Sequence, residues 1–192
     1  MHALPAAPAP APRRQVLVGT AVVCAALAAL FGGMFALYLR LRDQSLSANG
    51  QWLPKGVNVP MVPANVMLCA MVPIAIFSQW AVYSAKRGDR VHAGVALWLT
   101  VLLAVAMINA QANIYERMRV PAVGGSFNTM FYAITGSMVA LLVAGALFSA
   151  ITAFRYLGGR STDRELVTAH ALYWYFLSFA FAMLWFVIYV TK

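Results

Sequence analysis

The stretch HALYWYFLSFAFAMLWFVIYVTK, residues 170–192, decides the fold. No charged residue stands between its opening histidine and its closing lysine, and a helix of that length rises about 35 Å, enough to cross the ~30 Å hydrocarbon core of a bilayer. Tyr173, Trp174 and Tyr175 stand at one end, Trp185 and Tyr189 towards the other, with Phe176, Phe179 and Phe181 between them. Amphipathic rings favour the two membrane–water interfaces and apolar rings the interior, so this order predicts a spanning helix with an aromatic belt at each end. His170 is then expected at an interface.

The same ruler finds four more spans in the 192 residues, at 16–39, 61–84, 91–114 and 129–154, and sets the last at 169–190. The prediction is an all-α integral membrane bundle of five transmembrane helices. It forms a single domain over residues 15–192, preceded by a disordered Ala/Pro-rich tail at 1–14, with the first span uncleaved because its apolar run is too long for a signal-peptide core. Composition agrees: 62% of the residues are hydrophobic and 10% charged, where soluble domains carry about 25% charged residues.

The net charge of +9 does not point to nucleic acid, because the Lys and Arg are scattered through the connections, where they act as topology signals. Arg13, Arg14, Lys86, Arg87, Arg90, Arg155, Arg160 and Arg164 fall on one side of the membrane, eight of the fourteen cations. The bias places the N-terminus in the cytoplasm. Cys24 and Cys69 lie inside apolar runs with no metal-ligand spacing and act as small hydrophobes.

Chemistry inside a membrane is marked by ionisable groups, since each is costly to insert. Here Asp43, Asp89, Glu116, Asp163 and Glu165 all lie outside the predicted spans. Amides and hydroxyls remain: Asn65, Gln79, Asn109, Gln111, Asn113, Thr135, Ser137 and Ser178. They are expected to bond neighbouring helices or interfacial water. An enzymatic alternative uses His92 and His170 as axial ligands of a haem b held between spans three and five. A transporter is disfavoured by the missing intramembrane charges and the lack of an internal repeat. Rows of small residues, Ala21, Ala25, Ala29 and Gly33 in span one and Gly136, Ala140 and Ala144 in span four, offer faces for close helix approach.

The order of local motifs says more. FGGMFALYL (31–39), QWAVYSAKRGD (79–89), WLT (98–100), GGSFNTMFYAITG (124–136), YWYF (173–176) and a terminal IYV together resemble subunit III of the haem-copper oxidases, in its short bacterial form of five spans that lacks the first two helices of the longer form. The chain departs from that pattern at the family's ionisable positions. Leu27 lies where a carboxylate is usual. Gln111, Ile114 and Tyr115 stand where the third span ends in glutamine and a glutamate-tyrosine pair. Ser137, Met138 and Leu141 fill the histidine-bearing stretch of span four, and Tyr175 and Ser178 replace the histidine and aspartate of the last helix.

The resemblance implies a non-catalytic accessory subunit of a haem-copper terminal oxidase in a bacterial inner membrane. Such a subunit packs against catalytic subunit I and other oxidase subunits, stabilises the complex and holds phospholipid. It has no cofactor of its own, the haem and copper belonging to the catalytic partner. The contact residues expected are Gly136, Ala140, Ala144, Tyr173, Trp174, Phe176 and Trp185. The alternative within the superfamily is an accessory protein of nitric oxide reductase, suggested by the lost carboxylates.

Overall fold

The computed structural model describes residues 14–54, 56–159 and 164–191, so the predicted Ala/Pro-rich tail at 1–14 lies, but for Arg14, outside the described residues. Five α-helices follow in order: α1 (Gln15–Asn49), α2 (Met61–Lys86), α3 (Arg90–Met118), α4 (Ser126–Leu157) and α5 (Arg164–Leu184), the last running into a π-helical turn, Trp185–Val190. All five are long and apolar enough to cross a membrane. Each predicted span is present; α1, α3 and α4 are longer than predicted at both ends, α2 only at its C-terminal end and the last span only at its N-terminal end.

Local chemistry sets the ends. Gly50 takes the left-handed conformation at φ 66° and donates its N–H to Leu46 O at 2.9 Å, closing α1 with the cap that glycine accepts most easily. Asp89 opens α3 by accepting the His92 N–H at 3.1 Å, which satisfies one of the orphan donors of the first turn. Pro73 sits inside α2, where a membrane helix tolerates the lost hydrogen bond.

The helices α2, α3, α4 and α5 form a ring in which each packs on the next and α5 closes back on α2. The helix α1 lies outside it, against α5 and α4. At the face holding the N-termini of α3 and α5 the ring is filled by Ala81, Ala85, Ala93, Ala96 and Ala153 around Leu97 and Tyr156. Towards the opposite face the filling turns aromatic, with Phe127, Phe131, Phe181 and Tyr189. The connection after α1 folds back so that Trp52 is buried, its Nε1 donating to Tyr38 Oη at 2.9 Å and its ring packed edge-on against Phe127.

Candidate functional site

The most concentrated polar chemistry lies where α4 meets α5. Ser149 on α4 is fully buried; its Oγ stands 2.8 Å from Gly145 O and 2.7 Å from His170 Nε2, and accepts the Trp174 Nε1–H at 3.0 Å. A serine hydroxyl has one proton to give. If it goes to Gly145 O, His170 must donate from Nε2, leaving Nδ1 as a bare lone pair. The reverse arrangement buries an N–H without an acceptor. Nδ1 is the histidine atom that lies buried with no partner, and an unmet acceptor is the better tolerated of the two, so the proton is assigned to Nε2.

This arrangement corrects the interfacial placement of His170. The helix α5 begins at Arg164 rather than at residue 169, which carries His170 into its second turn and onto the face that meets α4. Gly145 makes the approach possible: a Cβ there would stand 2.9 Å from ring atoms of both Trp174 and Tyr173. Neither Gly145 nor Ser149 was singled out from the sequence. The signal that could have found them is a second glycine of α4, four residues before a serine.

Other tips of α5 bridge the ring. Tyr175 Oη donates to Gln79 Oε1, Trp185 Nε1 to Asn65 Oδ1 at 2.9 Å, and Tyr189 Oη to Gln111 Oε1 at 3.4 Å. Ser178 Oγ bonds Trp174 O at 2.8 Å and reaches Met71 Sδ at 3.6 Å. Tyr115 Oη donates to Thr135 Oγ1 at 2.8 Å, and Tyr173 Oη to Leu141 O at 2.7 Å. Of the positions expected from the resemblance to have lost ionisable groups, Gln111, Tyr115, Tyr175 and Ser178 make side-chain contacts between helices, whereas Ser137 Oγ bonds Ala133 O of its own helix. Of the expected amide cluster on α3, Gln111 turns inward while Asn109 is exposed.

The predicted contact residues divide. Ala140 and Ala144 are exposed and Gly136 is half-buried, and a Cβ on Gly136 would meet nothing within 4 Å. Phe176 and Trp185 are partly exposed. Tyr173 and Trp174 need correcting: they are buried within the chain, Trp174 completely, because their ring N–H and O–H find acceptors on α4. They serve the bundle rather than an outer face.

His92 and His170 are not brought together. His92 is exposed beside Trp80, with Nδ1 2.6 Å from Asp89 Oδ2, whereas His170 Nε2 is committed to Ser149. The helices that carry them stand diagonally across a ring filled with side chains. The residues present do not fit a haem between them.

Residues 13–192 match the family described as cytochrome c oxidase subunit III. The chain is 28% identical over 187 residues to cytochrome c oxidase subunit 3 of Corynebacterium diphtheriae, covering 93% of this chain and 89% of that protein. It is 28% identical over 170 residues to the Bos taurus protein of the same name and 28% over 168 to that of Ovis aries. It spans 62% and 63% of those mammalian relatives' lengths. These relatives lend no support to the nitric oxide reductase or haem b readings.

Proposed function

Because the chain belongs to the cytochrome c oxidase subunit III family, we propose that it packs laterally against the haem-copper catalytic subunit of a terminal oxidase, stabilises it and holds phospholipid. It is a multi-pass membrane protein and a non-catalytic subunit of an oxidase complex. In this reading residues 15–192 form one membrane domain in a bacterial inner membrane, the N-terminus is cytoplasmic, and haem and copper reside in the catalytic partner.

The observation that carries the lateral contact is the open strip on α4. Gly136, with nothing of its own chain within 4 Å of a Cβ, is followed at helical spacing by exposed Ala140 and Ala144. Small residues on an outward face let a second helix approach closely in lipid, where packing rather than the hydrophobic effect drives association. Phe176 and Trp185 extend the candidate contact set on α5.

Gentle solubilisation of native membranes, capture through a tag on this chain and a reduced-minus-oxidised spectrum of the eluate test the reading. A haem-copper catalytic subunit identified by mass, with all haem assigned to it, is the expected result; an eluate free of haem proteins would overturn it. Gly136→Leu should lower the recovered catalytic subunit severalfold without unfolding the chain. Unchanged recovery would remove α4 from the interface.

A further inference from the structure

The outer face of α3 carries a regular seam. Val95, Trp98, Leu102, Val105, Asn109 and Ala112 follow one another at alternating spacings of three and four residues, and all are exposed except half-buried Trp98. That alternation keeps a row facing a partner when two helices wind left-handedly about each other, the usual crossing between membrane helices. Leu157 of α4 walls one edge of the seam, leaving an apolar cavity of about 330 Å³ beside Trp98. It is a hole of the kind that an apolar side chain of a second helix fills.

One position of the six is polar. Asn109 lies seven residues before Glu116, about 10 Å deeper in the bilayer, and its carboxamide is exposed with no hydrogen bond to any described residue. The exposed amides of α2 are engaged: Trp185 donates to Asn65 and Tyr175 to Gln79. An amide facing lipid finds its partners only on another chain, and Asn109 needs both a donor and an acceptor at its own depth. A second copy of this chain supplies both by symmetry. Copies in one membrane share an orientation, so their α3 helices run parallel, and across a two-fold axis Asn109 meets Asn109 with each N–H facing the other's oxygen. A lone asparagine in such a seam fixes register and pairing. Charge agrees: the next two positions of the row, Glu116 and Arg119, are both exposed and of opposite sign, so each copy's carboxylate is offered the other's guanidinium.

We propose that the outer face of α3 is an interface between two copies of this chain, paired in parallel about a two-fold axis with Asn109 bonded to Asn109. The strip on α4 stays free, because Ala144 lines a groove shared with Gly19 and Val23 of α1. The catalytic contact therefore stands or falls without this one.

The test uses native membranes and single cysteines in the full chain after Cys24→Ala and Cys69→Ala, with copper-catalysed air oxidation. Leu102→Cys, Val105→Cys and Asn109→Cys should give a disulfide-linked band with the mass of two copies. It should be severalfold stronger than the band from Ile76→Cys on α2 or Leu147→Cys on α4, positions that are as exposed as Leu102 and Val105. Added to the Leu102→Cys chain, Asn109→Leu should lower that band about three- to tenfold, the worth of a hydrogen bond between membrane helices. Asn109→Gln should recover part of it. Thermal unfolding should not change, since Asn109 bonds nothing in its own chain. Equal bands at seam and control positions, or an undiminished band with Asn109→Leu, would overturn the proposal and leave the face to lipid. Linkage of the seam cysteines to a protein of another mass, or loss of the catalytic subunit on capture of the Asn109→Leu chain, would overturn it in favour of a different helix.

Discussion

The first and last helices are both apolar, both long enough to span a bilayer and joined to each other in space, yet they are used in opposite ways. Of the most apolar stretch of α1 only 11% is buried in the bundle, against 50% for the last span. The helix α1 buries Cys24, Phe31 and Tyr38, seven residues apart, a single thin seam. It is fastened near its ends, where Glu165 Oε1 accepts the Leu17 N–H at 3.0 Å and where Tyr38 meets Trp52. The helix α5 instead carries rings whose polar tips reach α2, α3 and α4. Lipid tails are as apolar as leucine, so hydropathy places a helix in the membrane without choosing its neighbours; shape and hydrogen bonds choose them.

The largest expected effect tests that contrast directly. Trp174→Ala empties a fully buried site and strands Ser149, and it should cost about 3–5 kcal/mol of stability. Thermal unfolding in detergent measures it. Phe31→Ala removes a ring that is also buried, but at a thin seam that can close around the gap, and it should cost less. Equal losses would mean that α1 is held as firmly as α5 and that the contrast is one of area alone.

How far the sequence carried the reading follows from the same physics. The five spans were legible because charge is excluded from the bilayer core, and residue 61 was placed as the start of α2. The resemblance carried the family because its motifs lie along the whole chain. Facing was not legible. Gly136 and Gly145 both lie in runs of small residues on α4, yet the first looks outward and the second meets Trp174. A helix buried by lipid on one side and by protein on the other shows little apolar periodicity to tell them apart. His170 was misplaced because its partner Ser149 lies on another helix, and because the helical turn before it, Arg164–Thr168, is too polar to be counted in an apolar run.

Smaller effects sharpen the contrast. Ser149→Ala leaves the Trp174 N–H and the His170 Nε2–H without their acceptor and should cost about 1–3 kcal/mol, read by the same unfolding transition. Ser149→Thr keeps the oxygen and should recover part of the loss. Glu165→Gln keeps an acceptor for Leu17 but removes the negative charge from the N-terminus of α1, a change of about 0.3–1 kcal/mol. It should appear as faster amide hydrogen exchange in the first turn of α1, with α5 unchanged. Equal exchange in wild type and variant would show that α1 is not fastened there.

The smallest expected effect is the most diagnostic of what α1 is for. Ala25 lies on the exposed side of α1, away from the Cys24, Phe31 and Tyr38 seam. Ala25→Leu adds a branched side chain where the chain itself offers no neighbour, so the isolated protein should keep its stability within about 0.5 kcal/mol. A loss as large as that of Ser149→Ala would mean that α1's small-residue row is packed inside the fold. If stability holds, recovery of the catalytic subunit with the same variant decides what covers the row. Recovery should fall if a partner helix lies against it and stay unchanged if only lipid does, and either result fixes whether α1 shares the docking role of the open strip on α4.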